Sequence, residues 1–378
     1  MHLLFAIFIV FIQIPINFGM TDKIIYIGSY TEPPYAPQKI ENGIYILRLQ
    51  DEKLNIIGKK DLKNISWFLK DRNGTRLYCL TEGKAPLSGM HRFDIDRSTG
   101  ELNNLTSILF PEPGACYMSS LREEEDNLLA IAFYDGGVVR TVCEDDTGRL
   151  HPHPPVVFHD KSGTIPDRQE APHPHSVLPL ESGDEFLVSD LGADALYKLR
   201  CRESKTRIMH KISMPPGYGP RHLLKHPKYD LLFVINELSN TLVVYETDGL
   251  YAQLTKTDEK STLGNLENSY KVDDDPLQCA AHLQLSDCGK YVLVSNRGRH
   301  NSISVFRIQH PTEGKLELVE TFSTHGYFPR FFHLIDDKYV LVANQLSSTI
   351  LLFRFSEGNI TGPIAELEIP NPAAISVL

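Results

Sequence analysis

His175, Glu82, Glu237, Arg221, Arg297 and Arg330 are residues of this chain whose types suit chemistry. An imidazole or a carboxylate takes a proton from an attacking water. Guanidinium groups grip a phosphate or carboxylate through two parallel hydrogen bonds and stabilise a developing oxyanion. Their spacing is regular. Arg221 follows His175 by 46 residues, Glu237 follows Arg221 by 16, and Arg297 follows Glu237 by 60. Similar intervals recur along the chain, and the recurrence says what must position these side chains.

One short apolar run appears seven times: IIYIGSY, RLYCLTE, LAIAFY, FLVSDL, LFVINE, VLVSNR and VLVANQ. Each is β-branched or aromatic-rich and only 6–7 residues long, which fits a strand buried on both faces. The runs end at Tyr30, Glu82, Tyr134, Leu191, Glu237, Arg297 and Gln345, with successive differences of 52, 52, 57, 46, 60 and 48. A second run follows each across a turn-rich link such as Asp135-Gly136-Gly137, so each pair reads as a hairpin. A third run precedes six of the seven, beginning at Ser66, Cys116, His175, Arg221, Ala281 and Arg330. Its differences, 50, 59, 46, 60 and 49, keep step with the first ladder.

A mostly-strand unit of about 50 residues, repeated seven times, predicts an all-β fold. The expected architecture is a seven-bladed β-propeller of four-stranded antiparallel blades, a single domain over residues 21–378. The strand near 24–30 and the segment 369–378 are expected to share a blade and close the ring. The inserts 145–170 and 251–275 read as polar loops, with His151-Pro-His-Pro-Pro a stiff stretch in the first. In a propeller the equivalent ends of both ladders converge at one mouth of the axial channel, where ligand sites are expected. Two rings follow. One holds Tyr30, Glu82, Tyr134, Leu191, Glu237, Arg297 and Gln345; the other holds Ser66, Cys116, His175, Arg221, Ala281 and Arg330. A ring of mixed charge can also satisfy itself, with the arginines as ion-pair partners of Glu82 and Glu237. His173, His222 and His226 read as structural, and Asp190, Asn236, Asn296 and Asn344 as caps of blade turns.

The strings EAPHPHSV, DLGADALYK, GPRHLLKHP, NELSNTLVVY, SNRGRHNSISVF and LVANQLSSTILLF resemble the seven-bladed lactonase family. That family includes propeller-type 6-phosphogluconolactonases and carboxy-muconate lactonizing enzymes. The resemblance runs over about 24–355 and is strongest from residue 170 onward. It implies a metal-independent, cofactor-free lactonase acting on an anionic sugar lactone, with His175, Arg221, Glu237 and Arg297 as catalytic residues. Arg330, Gln345, Glu82, Tyr134 and His282 are expected to bind substrate. The family usually has an acid after its paired alanines, where this sequence has Ala280-Ala281-His282. Three other readings stand beside hydrolysis: a muconate-type cycloisomerase, a secreted propeller that binds an anion or a protein without catalysis, and a calcium-dependent lactonase. The last would use Glu82 and Glu237 as oxygen ligands, close to arginines that repel the ion.

Composition narrows the field. The chain has 378 residues, 42% hydrophobic and 23% charged, which argues against disorder, a collagen-like repeat and a multi-span membrane protein. A net charge of −10 disfavours nucleic acid and anionic membrane as partners. Residues 3–14 are apolar except for Gln13, the length of a signal-peptide core and short of a spanning helix. Residues 1–20 are therefore read as a cleaved signal and the protein as secreted, or as cytoplasmic if that segment does not act as one. Sequons at Asn64, Asn73, Asn104 and Asn359 fit a glycoprotein. Six cysteines are too sparse for a disulfide scaffold, and both pairing and free thiols are compatible with their spacing.

Overall fold

The computed structural model describes residues 22–84, 88–122 and 127–378; the signal expected in residues 1–20 lies outside them. The chain forms seven antiparallel sheets of four or five strands each, arranged as the blades of a propeller. The third-ladder runs are the inner strands and the first-ladder runs lie beside them. Pro220–Lys225, Leu231–Asn236, Thr241–Thr247 and Leu254–Ser261 make one complete blade in that order. The third ladder has six members because the seventh inner strand is C-terminal. Pro372–Val377 pairs with Asp22–Ser29, with Tyr26 opposite Ser376, and joins the two ends of the chain in one sheet.

The core lies between blades. The second strand of each blade presses a face on either neighbour, so its residues are largely apolar rather than alternating. Leu231–Asn236 and Tyr339–Asn344 are buried at every position. Phe233 and Phe306, both fully buried, belong to one inter-blade cluster, and Phe332 and Phe353 to the next. Each such ring contributes roughly 1.5–3 kcal/mol by leaving water.

The fourth strands differ, and they overturn one expectation. The inserts read as polar loops contain Leu150–Pro152, Val156–Val157 and Leu254–Ser261, which are outer strands of their blades. An outer strand packs on one side only, so its composition stays polar. Lys205–Ser213 is exposed at seven of nine positions.

Cys79, Cys116, Cys201, Cys279 and Cys288 are free thiols. Asn64 is buried, and its Oδ1 accepts the N–H groups of Thr31 (2.8 Å) and Glu32 (3.0 Å), so that sequon is occupied by a structural role; Asn73, Asn104 and Asn359 are exposed. Asp190 accepts the N–H groups of His173 and Ala193, and Asn296 donates to the Thr262 carbonyl. Asn236 and Asn344 donate likewise to Thr241 and to the Thr324 carbonyl.

Candidate active site

Every inner strand carries one extra residue, always at the second-ring position. Pro220 lies opposite Asn236 and His222 opposite Ile235, so Arg221 has no partner in the ladder. The same irregularity falls at Ser66, Cys116, His175, Ala281 and Arg330, and at Ala373 in the closing blade. A bulge re-aims a side chain, here from the space between blades toward the channel mouth. Proline precedes four of these residues (His175, Arg221, Arg330 and Ala373), a position where a missing N–H is tolerated. The first ring is anchored as well. The N–H groups of Tyr134, Glu237 and Gln345 donate to Gly114, Gly219 and Phe328, the carbonyls that lead into the inner strands, at 2.7–2.9 Å. Gly298, which follows Arg297, has a φ of +106°, and a Cβ there would stand 2.1 Å from the Leu277 carbonyl oxygen.

These devices enclose a cavity of about 330 Å³ whose wall includes His175, Glu237, Arg297, Arg330, Glu82 and Tyr134. Glu237 is its electrostatic centre. Its Oε1 accepts from Arg168 Nη2 at 2.5 Å, and its Oε2 accepts from Arg221 Nε at 2.7 Å and lies 3.0 Å from Arg297 Nη2. Burial alone would raise the pKa of this carboxyl, but Arg297, Arg168 and Arg221 outweigh it and hold the group well below the usual carboxylate range. Burial, reinforced by Arg221, pushes His175 well below the ordinary imidazole range, so its ring is neutral. Nδ1 of His175 is buried without a hydrogen-bond partner, as is Nε of Arg297. The Arg297 guanidinium lies 4.9 Å above the Phe328 ring. Tyr134 stacks on His173 at 4.2 Å, and burial lifts its phenol to about 12.

Across the cavity Glu82 accepts a 2.5 Å hydrogen bond from the Tyr30 hydroxyl and lies 3.8 Å from Arg330. Burial raises its pKa despite the opposing pull of Arg330. Arg330 lies over the Tyr30 ring at 5.2 Å. Three arginines, Arg168, Arg297 and Arg330, line the cavity with Glu237, Glu82 and the exposed Asp135, and Arg221 adds a fourth guanidinium behind Glu237. Arg221 included, guanidinium groups outnumber carboxylates by one, and by two when Glu82 holds a proton.

Three residues expected in the site stand outside the cavity wall. Arg221 is behind Glu237: its Nη1 donates to the Ala281 carbonyl and to His222 Nε2 (2.8 Å), away from the mouth. Gln345 points its amide at the Tyr35 carbonyl, 3.2 Å away. His282 lies one layer lower, in an irregularity where Ala281 and His282 together face Ser295; it stacks on Phe331 at 4.0 Å. Trp67, Tyr117 and His222 occupy the same layer, with Trp67 and Tyr117 4.0 Å apart and His222 5.1 Å from Tyr117. His222 Nε2 accepts from Arg221, so its Nδ1–H donates to His282 Nδ1 at 3.2 Å. His222, expected to be a packing residue, is thereby the support of Arg221. Glu237 is enclosed by guanidinium groups and Glu82 is bonded to Tyr30, which leaves the calcium reading without its two proposed ligands.

Sequence reasoning missed Arg168, Tyr35 and Phe328. Arg168 comes from the 145–170 insert and completes the grip on Glu237. A signal was available: that insert ends at the inner strand holding His175, so it must pass over the mouth. Phe328 has a φ of +68°, a conformation that costs a non-glycine residue energy and that marks functional positions.

The family described as "Lactonase, 7-bladed beta-propeller" matches residues 24–377. A 6-phosphogluconolactonase of Bacillus subtilis (strain 168) is 28% identical over 365 residues, 95% of this chain and 99% of that one. A protein of that name from Formosa agariphila is 26% identical, over 87% of this chain and 92% of its own. The periplasmic gluconolactonase of Pseudomonas aeruginosa shares the fold with a TM-score of 0.83 at 22% identity, covering 95% of this chain and 99% of that one. The chain belongs to the seven-bladed β-propeller lactonase family.

Proposed function

We propose that this member of the lactonase propellers hydrolyses an anionic sugar lactone at the channel mouth, in the manner of a 6-phosphogluconolactonase. The observation that carries the reading is the placing of the Arg297 and Arg330 guanidinium groups on the wall of one cavity that also holds the neutral imidazole of His175. Arg297 and Arg330 face the cavity and bind the phosphate or carboxylate of the substrate and the oxyanion that forms at the carbonyl. Glu237, ionised and held by three arginines, is a poor base; it fixes the fork of Arg297. Arg221 acts through Glu237 as a positioning residue. The His175 imidazole takes a proton from water as the water oxygen attacks the lactone carbonyl carbon. The ring C–O bond then breaks, and the imidazolium returns its proton to the departing alkoxide, giving the open hydroxy acid. The chemistry runs on these side chains alone. The export expected from residues 3–14 remains part of the proposal, and it makes an extracellular lactone acid as plausible chemically as a phosphorylated one.

The test is hydrolysis of 6-phosphoglucono-δ-lactone, followed by acid release. His175→Ala is expected to lower kcat at least 100-fold while leaving affinity for the product acid within a few-fold. The acid limb of the wild-type kcat/KM profile is expected below pH 6.5, since the neutral ring is the active form and its pKa is depressed. Undiminished turnover in His175→Ala would reject the assignment.

A further inference from the structure

A second cavity, about 590 Å³, lies beside the first between the closing blade and the blade that follows it. Tyr35 and Glu82 belong to the walls of both. The two spaces are opposite in character. Apart from the exposed Lys84, most polar side chains in the wall of the second are already bonded to the protein. Asn64 Oδ1 holds the Thr31 and Glu32 amides, and His91 lies between Thr81 Oγ1 (3.1 Å) and Ser107 Oγ (2.8 Å). Glu82 accepts from Tyr30, and Glu32 pairs with Lys63 at 2.7 Å. Burial pushes His91 down to about 4, so it is uncharged. Most of what remains for a ligand is carbon: Pro33, Pro34, Tyr35, Leu62 and Leu109. Leu109 is 68% exposed on the outer strand Leu102–Phe110, an apolar side chain with no packing role to explain it.

We propose that this annex receives an uncharged apolar arm of the substrate, so that the preferred lactone carries an anionic group at the arginines and an alkyl or aryl substituent beyond Tyr35. A bare sugar lactone has too little carbon surface to use a space of this size, which lies within the range that holds drug-sized ligands. The inference rests on the anion site of the proposed function, so its test is a binding measurement that needs no turnover.

Straight-chain alkanoates of two to ten carbons are titrated calorimetrically into the full chain, with the carboxylate as the head group. Affinity is expected to rise about fourfold per methylene once the tail passes Tyr35, the gain for burying one CH₂. Leu109→Asp and Leu62→Asp are each expected to flatten that rise, and Arg297→Ala to weaken every alkanoate while keeping the slope. Because Leu109 is exposed, its substitution leaves the fold intact. Affinity independent of chain length, no binding of any alkanoate, or a slope unchanged in both leucine variants would overturn the annex. Length-dependent binding in a protein that hydrolyses no lactone would overturn the hydrolase reading and leave the annex standing.

Discussion

Glu237 and Glu82 end the same strand of two different blades, both buried and both on the wall of one cavity. Their surroundings make them opposite devices. Around Glu237, three guanidinium groups drive the carboxyl to its ionised form. Around Glu82, the nearest cation is 3.8 Å away and a tyrosine hydroxyl takes its place, so burial prevails and proton binding is favoured. Repetition delivers a carboxylate to the channel mouth, and the loops and bulges of neighbouring blades decide what it does there. One half of the mouth is a preorganised ionic site. The other half grades into an apolar space.

The largest effect that tests this contrast is expected from Glu237→Gln. It leaves Arg168, Arg221 and Arg297 buried or half-buried without their shared counter-charge. A loss on the order of 3–5 kcal/mol in stability is expected, the cost of breaking a buried pair from one side. Chemical denaturation at pH 7 measures it, and a loss below 1 kcal/mol would mean that the three arginines are satisfied without Glu237. The pH dependence has a definite sign. A depressed carboxyl contributes stability above the ordinary carboxylate range and loses it as pH falls through its lowered pKa. The gap between wild type and Glu237→Gln should therefore be full at neutral pH and narrow only in strong acid.

Glu82→Gln is expected to do far less, on the order of 1 kcal/mol or below. Its pH dependence runs the other way. A raised carboxyl stabilises the fold most when protonated, and that contribution is lost as pH rises through its raised pKa. The stability difference should move in favour of the glutamine variant between pH 4 and pH 8. Parallel pH curves for the two variants would erase the distinction between the two halves.

Much of the fold was legible because the second strand of each blade is buried on both faces. Runs such as LFVINE and VLVANQ stay apolar from end to end, and their spacing carries the blade count. The outer strands were not legible: Leu254–Ser261 is polar along most of its length, since only one side packs. Site prediction divided along a similar line. Ring positions placed His175, Glu237, Arg297, Arg330, Glu82 and Tyr134 on one cavity wall. Periodicity could not show that each inner strand holds an extra residue, because a bulge adds one residue without disturbing the apolar pattern. At one inner strand the irregularity takes in both Ala281 and His282, and His282 stacks on Phe331 beneath the mouth. Arg221 also shows why position alone does not fix a role. It lies at a ring position, but Glu237 draws its Nε and the Ala281 carbonyl and His222 draw its Nη1 below the mouth.

In the proposed function, cavity-facing guanidinium groups select an anionic lactone for ring opening. The most direct test is the ratio of kcat/KM for 6-phosphoglucono-δ-lactone to that for glucono-δ-lactone, measured in the wild type and in Arg297→Ala. A ratio of about 100 or more is expected in the wild type, the effect of about 3 kcal/mol from a charge-assisted contact, collapsing at least tenfold in the variant. Equal rates on the two lactones, or a ratio indifferent to Arg297, would contradict it.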